Sequence, residues 1–398
     1  MKILFVTTGL PYPPDSGVRI PTYNFMRELS KRHEIYLFSL IHSEDEQDYI
    51  ENLKPICRQI YISKLKLPGI SEKNRLKDIF KLFSKLPLSI KRRESKQAKG
   101  KLIKIIRENK FDIVQIEQTA MAEYGNLVKN IPVVLNTRDI VNQMIKRQSI
   151  NTKNFIKRKI LYHEYKKMLI YEINVYKHFA GILTISEKDK GFFVSNGAPE
   201  EKVKVIPNGV DEDYYNFLEK SSESAVIYTG NMNYYANYDA VQYFCQDIFP
   251  HILKQKKVKF IIVGKEGKIK EFTKNEINVK TTDYVDDIRP YFQKASILVV
   301  PLRIGSGVRN KILEAMAMGR PVVSTSVGCE GLDVTDGENI IIADKPEDFA
   351  HKVISLLESP ELQKKLIRAG RKLVEEKYSW ENVCKKLENV YEKLKERA

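Results

Sequence analysis

Apolar residues in this chain come in short unbroken runs. Each run is closed by glycine, proline or a polar cluster and followed by a longer stretch in which apolar positions recur at helical spacing. The runs cover residues 2–8, 35–39, 59–62, 111–116, 133–135, 181–185, 225–229, 258–263, 296–300, 321–324 and 340–342. Unbroken runs of this length predict strands covered on both faces, as in a parallel sheet. Helical spacing predicts helices over 19–31, most of 64–110, 162–179, 237–249, 308–318, 360–377 and 380–397. Ser359 before Pro360 reads as an N-cap with proline at the first helical position. In the last helix, Val383, Leu387, Tyr391 and Leu394 share one face. Strand and helix alternate from end to end, so the fold class is α/β.

A chain of 398 residues is long enough for two substantial cores. The polar stretch Leu218 to Ser224 reads as a linker, after which the alternation starts again. No apolar run reaches the length of a membrane span. The start, Met1 to Val6, reads as a first strand and not as a signal peptide. Cys57, Cys245, Cys329 and Cys384 lack metal-site or redox spacing, which predicts reduced thiols and a cytoplasmic protein.

Charge changes the picture. The net charge is +16, but it is unevenly placed. Lys64 to Lys110 holds sixteen Lys/Arg against four Asp/Glu, and Lys146 to Lys167 holds eight against one, so the rest of the chain is slightly acidic. Both stretches lie in the first half, which predicts a polyanionic partner for one domain only. The first stretch interleaves Leu, Ile and Phe with Lys, the composition of a surface that lies on anionic lipid. Nucleic acid is the rival partner. No nucleic-acid motif accompanies the charge, and aromatic residues are not concentrated there.

The densest chemistry lies in residues 301–331, PLRIGSGVRNKILEAMAMGRPVVSTSVGCEG. A glycine loop, Gly305-Ser306-Gly307, opens a helix from Val308, which Gly319 stops. Such a loop offers free N–H groups and a positive dipole end, a place for phosphate. Val308, Ile312 and Met316 mark the buried face, with Leu313 and Ala315 at its margins. Asn310, Lys311 and Glu314 fall opposite.

This segment resembles the donor-binding signature of the family-4 retaining glycosyltransferases. Glu314 matches the signature's second Glu, followed by Ala315-Met316-Ala317 and by Gly319-Arg320-Pro321-Val322-Val323. Ser306 stands where the family has its first Glu, a contact to donor-sugar hydroxyls. An acidic sugar would be repelled by Glu and tolerated by Ser. Pro207-Asn208-Gly209-Val210-Asp211 resembles the family's segment at the domain crossover, and Asp283 to Ile288 the segment that contacts the base.

The resemblance implies a GT-B fold: two Rossmann-like domains facing a cleft, with a C-terminal helix crossing back to the first. Residues 1–207 would form the acceptor domain, with helix 379–398 packed on it, and 208–378 the nucleotide-sugar domain. It implies a metal-independent hexosyltransferase without cofactor. The substrate would be a UDP- or GDP-sugar and the acceptor a glycan or lipid-linked hydroxyl in cell-surface polysaccharide synthesis. The enzyme would be cytoplasmic, with peripheral contact to the inner face of the membrane.

Glu314 would hold the ribose. Gly305, Ser306, Gly307, Val308, Arg303, Gly230, Asn231, Tyr284 and Val285 would complete the donor site. The family commonly has an Arg and a Lys after Gly230, and Asn231 follows it here. The diphosphate charge therefore falls to Arg303, Arg309 and Lys311. Arg309, Lys311 and Asp139 are the catalytic candidates. Strand ends bear ligands in parallel sheets, so Glu117, Gln118, Arg138 and Asp139 are expected to line the cleft. Gly17 and Arg19 belong to a loop, its tight point marked by Gly17, that the resemblance implies faces the cleft where acceptor and donor diphosphate meet.

Overall fold

A computed structural model of the protein describes residues 1–65, 84–150, 152, 154–218, 221, 223–273, 276–304 and 308–397. The chain divides into two compact units, Met1–Pro207 with Cys384–Ala398, and Asn208–Val383. The linker expected at Leu218 to Ser224 is therefore corrected. The chain enters the second unit at Asn208, and Leu218 N–H already bonds to the Met318 carbonyl there at 3.2 Å. Polar composition misled, because a loop tied down by backbone hydrogen bonds can be as polar as a free one.

The first unit is built on β1 (Lys2–Thr7), β2 (Glu34–Ile41), β3 (Gln59–Lys64), β4 (Ile113–Glu117), β5 (Val133–Asn136), β6 (Gly181–Thr184) and β7 (Val203–Val205). Their order is β3-β2-β1-β4-β5-β6-β7, and every neighbouring pair is parallel. The second unit repeats the plan with β8 (Ala225–Thr229), β9 (Lys259–Val263), β10 (Val279–Thr281), β11 (Ile297–Val300), β12 (Val322–Ser324) and β13 (Ile341–Ile342), in the order β10-β9-β8-β11-β12-β13. These pairs are parallel too. The central strands are buried along their length, as unbroken apolar runs require. In each sheet the strand order reverses once, between β1 and β4 and between β8 and β11. Ligands of doubly wound sheets sit beyond the strand ends at that point.

The helices that matter below are α1 (Arg19–Leu29), α2 (Lys96–Glu108), α3 (Val141–Ile150), α4 (Phe155–Val175), α5 (Tyr235–Tyr243), α6 (Asn310–Ala317), α7 (Pro346–Glu358), α8 (Pro360–Leu373) and α9 (Trp380–Glu396). Ser359 caps α8 by accepting from Leu362 N–H at 3.2 Å, with Pro360 in its first turn. Gly319 follows α6 at φ +67°, a left-handed conformation that a side chain resists. Glu388 of α9 accepts from Arg32 at 2.8 and 3.0 Å, and Tyr391 donates to Gln115. Lys395 pairs with Asp112 at 2.8 Å. These contacts explain why Cys384 onward belongs with the first sheet.

Two helical features were hidden in the pattern. Helix α4 starts at Phe155 and not at Tyr162, because Asn154 caps it by accepting from Lys157 N–H at 2.9 Å. Helix α3 has no clear apolar stripe. Its N-terminus is held instead by the fully buried Glu172 of α4, which accepts from Val141 N–H at 2.8 Å, Asn142 N–H at 2.9 Å and Asn142 Nδ2 at 2.6 Å. Burial pushes the Glu172 carboxyl up to about 7, against the pull of those hydrogen bonds. Glu172→Ala would leave these donors buried without an acceptor, and is expected to lower stability by about 1–3 kcal/mol. An unchanged urea midpoint would remove Glu172 from the role of cap.

Candidate active site

In the second unit, α6 follows β11 and places its first turn beside the end of β8. Lys311, in that turn, extends to β8. Its Nζ donates to the Thr229 carbonyl, lies 3.4 Å from Asn237 Oδ1 and sits 3.9 Å from the Tyr228 ring centroid. Tyr228 in turn donates to Asn237 Oδ1 at 2.7 Å. A cation is thus delivered beneath Gly230-Asn231, where the family's Arg and Lys are missing from the sequence. One turn along α6, Glu314 takes a hydrogen bond from Tyr215.

Electrostatics binds these two groups together. Burial pushes the Glu314 carboxyl up to about 7, opposed by Lys311 and by the Tyr215 hydrogen bond. Burial pushes the Lys311 amine down to about 7, helped by the Arg309 charge and opposed by Glu314. Both groups are therefore poised near neutral pH, a pattern concentrated at functional sites. Arg309 is the N-cap residue of α6, and its guanidinium acts on Lys311 from the loop side. Among the described residues, nothing satisfies the buried Oδ1 of Asn310.

The remaining donor-site expectations are distributed as follows. Gly305, Ser306 and Gly307 lie outside the described residues. Val308 packs half-buried on the unit's core, and so does Val285. Tyr284 is exposed, beneath Lys265 at 6.0 Å. Asn231 is exposed, and its carbonyl accepts from Asn237 at 3.0 Å. Arg303 differs from expectation. It forks onto Asp239 at 2.7 and 3.1 Å and stacks 4.4 Å from Tyr243, so its charge is already balanced. The sequence could not show that pairing, because Asp239 belongs to α5.

In the first unit, Glu117 and Arg138 end β4 and follow β5. They were expected as cleft-lining groups, yet the structure turns them inward, at 2% and 6% side-chain exposure. Arg138 donates to Glu117 from Nη2 at 2.8 Å and from Nε at 3.1 Å, and to Thr22 of α1 at 3.2 Å. Gln115 donates to Glu117 at 2.6 Å and Asn136 at 3.3 Å. Neighbouring strand ends converge on one carboxylate and consume it. Gln118 and Arg138 hold φ +73° and +63°, strained for residues with side chains. Gln118 Oε1 accepts from Thr8 at 2.9 Å, tying the end of β1 to that of β4.

Asp139 is exposed beside these groups, and its charge reaches Glu172. Arg19 pairs with Asp15 at 3.3 Å on the surface. The expectation that Gly17 marks a tight point is corrected. Its φ is not left-handed, and an added Cβ would meet nothing within 4 Å.

Three functional neighbours were missed. Thr22, Tyr215 and Tyr228 lie far in sequence from the groups they touch, and no local spacing signals them. Among the described residues, no group of three His, Cys, Asp or Glu is placed to hold a metal ion.

Comparison with known proteins fits this geometry. A model described as Glycosyltransferase Family 4 matches residues 16–214, and one described as Glycosyl transferases group 1 matches residues 223–359. An uncharacterised 44.6 kDa protein in the cps region of Klebsiella pneumoniae is 26% identical, over 96% of this chain and 97% of its own. The capsular polysaccharide biosynthesis glycosyltransferase CapM of Staphylococcus aureus is 27% identical, over 50% of this chain and 54% of its own. Among solved structures, Anabaena Alr3699/HepE in complex with UDP-glucose superposes with a TM-score of 0.66 at 15% identity, covering 100% of both chains. That last likeness is one of fold.

Proposed function

Since the chain belongs to glycosyltransferase family 4, with a group-1 glycosyl transferase match over its second half, we propose that it is a retaining hexosyltransferase acting on a glycan or lipid-linked acceptor. As a glycosyltransferase it moves a sugar from a nucleoside diphosphate donor. The finer reading adds UDP or GDP as the nucleotide, polysaccharide synthesis as the context and an anionic membrane surface as a partner. The kinship to CapM and to the cps-region protein supports that context.

The observation that carries the proposal is the placing of Lys311 and Glu314 one turn apart on α6, each acting on the other's charge, at the point where the second sheet reverses its order. In the proposed mechanism the diphosphate lies on Lys311, Arg309 and the positive end of α6. Glu314, ionised, accepts the ribose hydroxyls. When the bond between the anomeric carbon and the diphosphate oxygen breaks, negative charge develops on that oxygen, and the cations stabilise it. The acceptor hydroxyl attacks from the same face, and its proton passes to the departing phosphate oxygen. Retention follows, and no resident metal is needed. The first unit supplies acceptor recognition, with Asp139 as its exposed carboxylate.

Glu314→Ala tests the ribose contact. Loss of charge-assisted hydrogen bonds of about 1.5–3 kcal/mol each should weaken nucleotide-sugar binding by one to several powers of ten. Calorimetric titration of UDP- and GDP-sugars reads it, with thermal unfolding as the control for fold. Undiminished affinity in the variant contradicts the assignment.

A further inference from the structure

The second basic stretch of the sequence lies on α3 and α4, and its surface is unusual. From Asn154 to Ile160 every residue is exposed, so α4 begins clear of the rest of its unit. At 100° per residue, Phe155, Ile156, Lys159, Ile160, Tyr162, His163, Lys166 and Ile170 fall on one half of the helix. The opposite half carries Glu164, Met168, Glu172 and Val175, all buried. Ile156 is 71% exposed, Ile170 62% and Phe155 57%, beside Ile150 at 66% and Met144 at 52% on α3. An apolar face of this extent on a water-soluble domain marks an interaction surface.

Its charge says what the partner is. The stretch holds eight basic residues against the single acid Glu164. Glu164 faces inward, where it accepts from Leu88 N–H at 2.7 Å and pairs with Lys167. Lys159 lies 4.4 Å from the Phe155 ring and Lys166 lies 5.0 Å from that of Tyr162, so the exposed rings are already covered by cations. That arrangement leaves little for base stacking. Exposed isoleucines gain nothing from a phosphodiester chain, but a great deal from acyl chains.

We infer that the outer face of the α3–α4 hairpin, formed by Met144, Ile150, Phe155, Ile156, Ile160 and Ile170, docks on an anionic lipid surface. The apolar side chains enter the headgroup region, while Lys159 and Lys166, on the same half of the helix, meet lipid phosphates. From Phe155 to Ile170 the face runs about 22 Å along the helix, enough to span several headgroups. The inference rests on the membrane partner of the proposed function but moves the contact away from Lys64 to Lys110. There residues 66–83 lie outside the described residues, Lys91 is paired with Glu94 at 2.5 Å, and Arg93 is half-buried, with its guanidinium pulled down by burial. In α2 the apolar residues Ala98, Leu102 and Ile105 face the core.

The test is co-sedimentation of the full chain with vesicles of mixed phosphatidylglycerol and phosphatidylcholine, against phosphatidylcholine alone, at low and high salt. Wild-type protein is expected to bind the anionic vesicles in a salt-sensitive way. Lys159→Glu with Lys166→Glu should lower partitioning by at least about tenfold, each basic residue at such a surface being worth roughly fivefold. Ile156→Ser with Ile160→Ser should weaken it comparably, and should also remove the binding that survives high salt. Lys91→Glu with Arg92→Glu should bind as wild type. All these residues are exposed, so thermal unfolding should be unchanged. Hairpin variants that bind like wild type would overturn the inference while leaving the membrane reading intact. Wild-type protein that ignores anionic vesicles would sink both, as would hairpin-dependent binding to labelled duplex DNA or single-stranded RNA without vesicle binding.

Discussion

Replacing Lys311 by Met is expected to reduce turnover by about two to three powers of ten, the usual loss when one preorganised charge is taken from a developing anion. The side chain is close in length, so packing against Tyr228 survives and the fold should hold. The loss should fall on donor affinity as well as on kcat. A buried amine held by Thr229 and Asn237 needs no reorganisation when charge appears on the leaving oxygen. Arg303 cannot take over, because Asp239 already balances it. Lys311→Arg should recover little, since a planar fork on a longer side chain cannot take the place of the compact ammonium that donates to the Thr229 carbonyl. Steady-state kinetics with the best nucleotide-sugar reads all three enzymes, and equal kcat in Lys311→Met and wild type would remove the lysine from the mechanism.

The second large effect is on stability. Arg138→Met strands the Glu117 carboxylate, which the structure buries among Gln115, Asn136, Thr22 and Arg138. A buried charge that loses its partner costs about 3–5 kcal/mol. For a unit of this size the unfolding temperature should fall by roughly 6–20 °C. Adding Glu117→Leu to Arg138→Met should restore much of the loss, because an apolar pair carries no desolvation cost. A double variant no more stable than Arg138→Met alone would show that the network matters for its geometry and not for its charge balance. The strained φ of Arg138 fits the idea that the pair positions the exposed Asp139 next to it.

Much of this molecule was legible before its structure. The unbroken apolar runs at 225–229, 258–263 and 296–300 became adjacent parallel strands, since burial on both faces leaves no polar alternation to confuse. Helix α6 was legible because its buried residues keep helical spacing and Gly319 stops it by backbone geometry. The start of α4 was not. Its outward face is as apolar as its inward one, so periodicity has nothing to detect, and only the Asn154 cap marks the beginning. Gly17 was judged by residue type, and nothing lies near enough to require a glycine there. The linker at 218–224 and the charge of Arg303 failed for a shared reason: each was also judged by residue type, while its role is set by partners distant in sequence. The same blindness hid Tyr215 from Glu314 and Thr22 from Glu117, although the two carboxylates themselves were picked out.

The central claim is that Lys311 and Glu314 together receive the donor. In the free protein both are displaced towards neutrality by burial, the carboxyl up to about 7 and the amine down to about 7. Ribose hydroxyls favour the ionised carboxylate, so binding releases a proton below pH 7 and affinity rises with pH there. The diphosphate favours the ammonium, so binding takes up a proton above pH 7 and affinity falls. A nucleotide-sugar has no ionisation of its own between these limits, unlike a free nucleoside diphosphate. The decisive measurement is therefore the dissociation constant of a tightly bound UDP- or GDP-sugar from pH 5.5 to 8.5. The account predicts a bell centred near neutrality, each limb approaching about tenfold per pH unit. Lys311→Met should flatten the alkaline limb and Glu314→Gln the acid one. A flat profile in the wild type, or limbs that neither substitution moves, would contradict it.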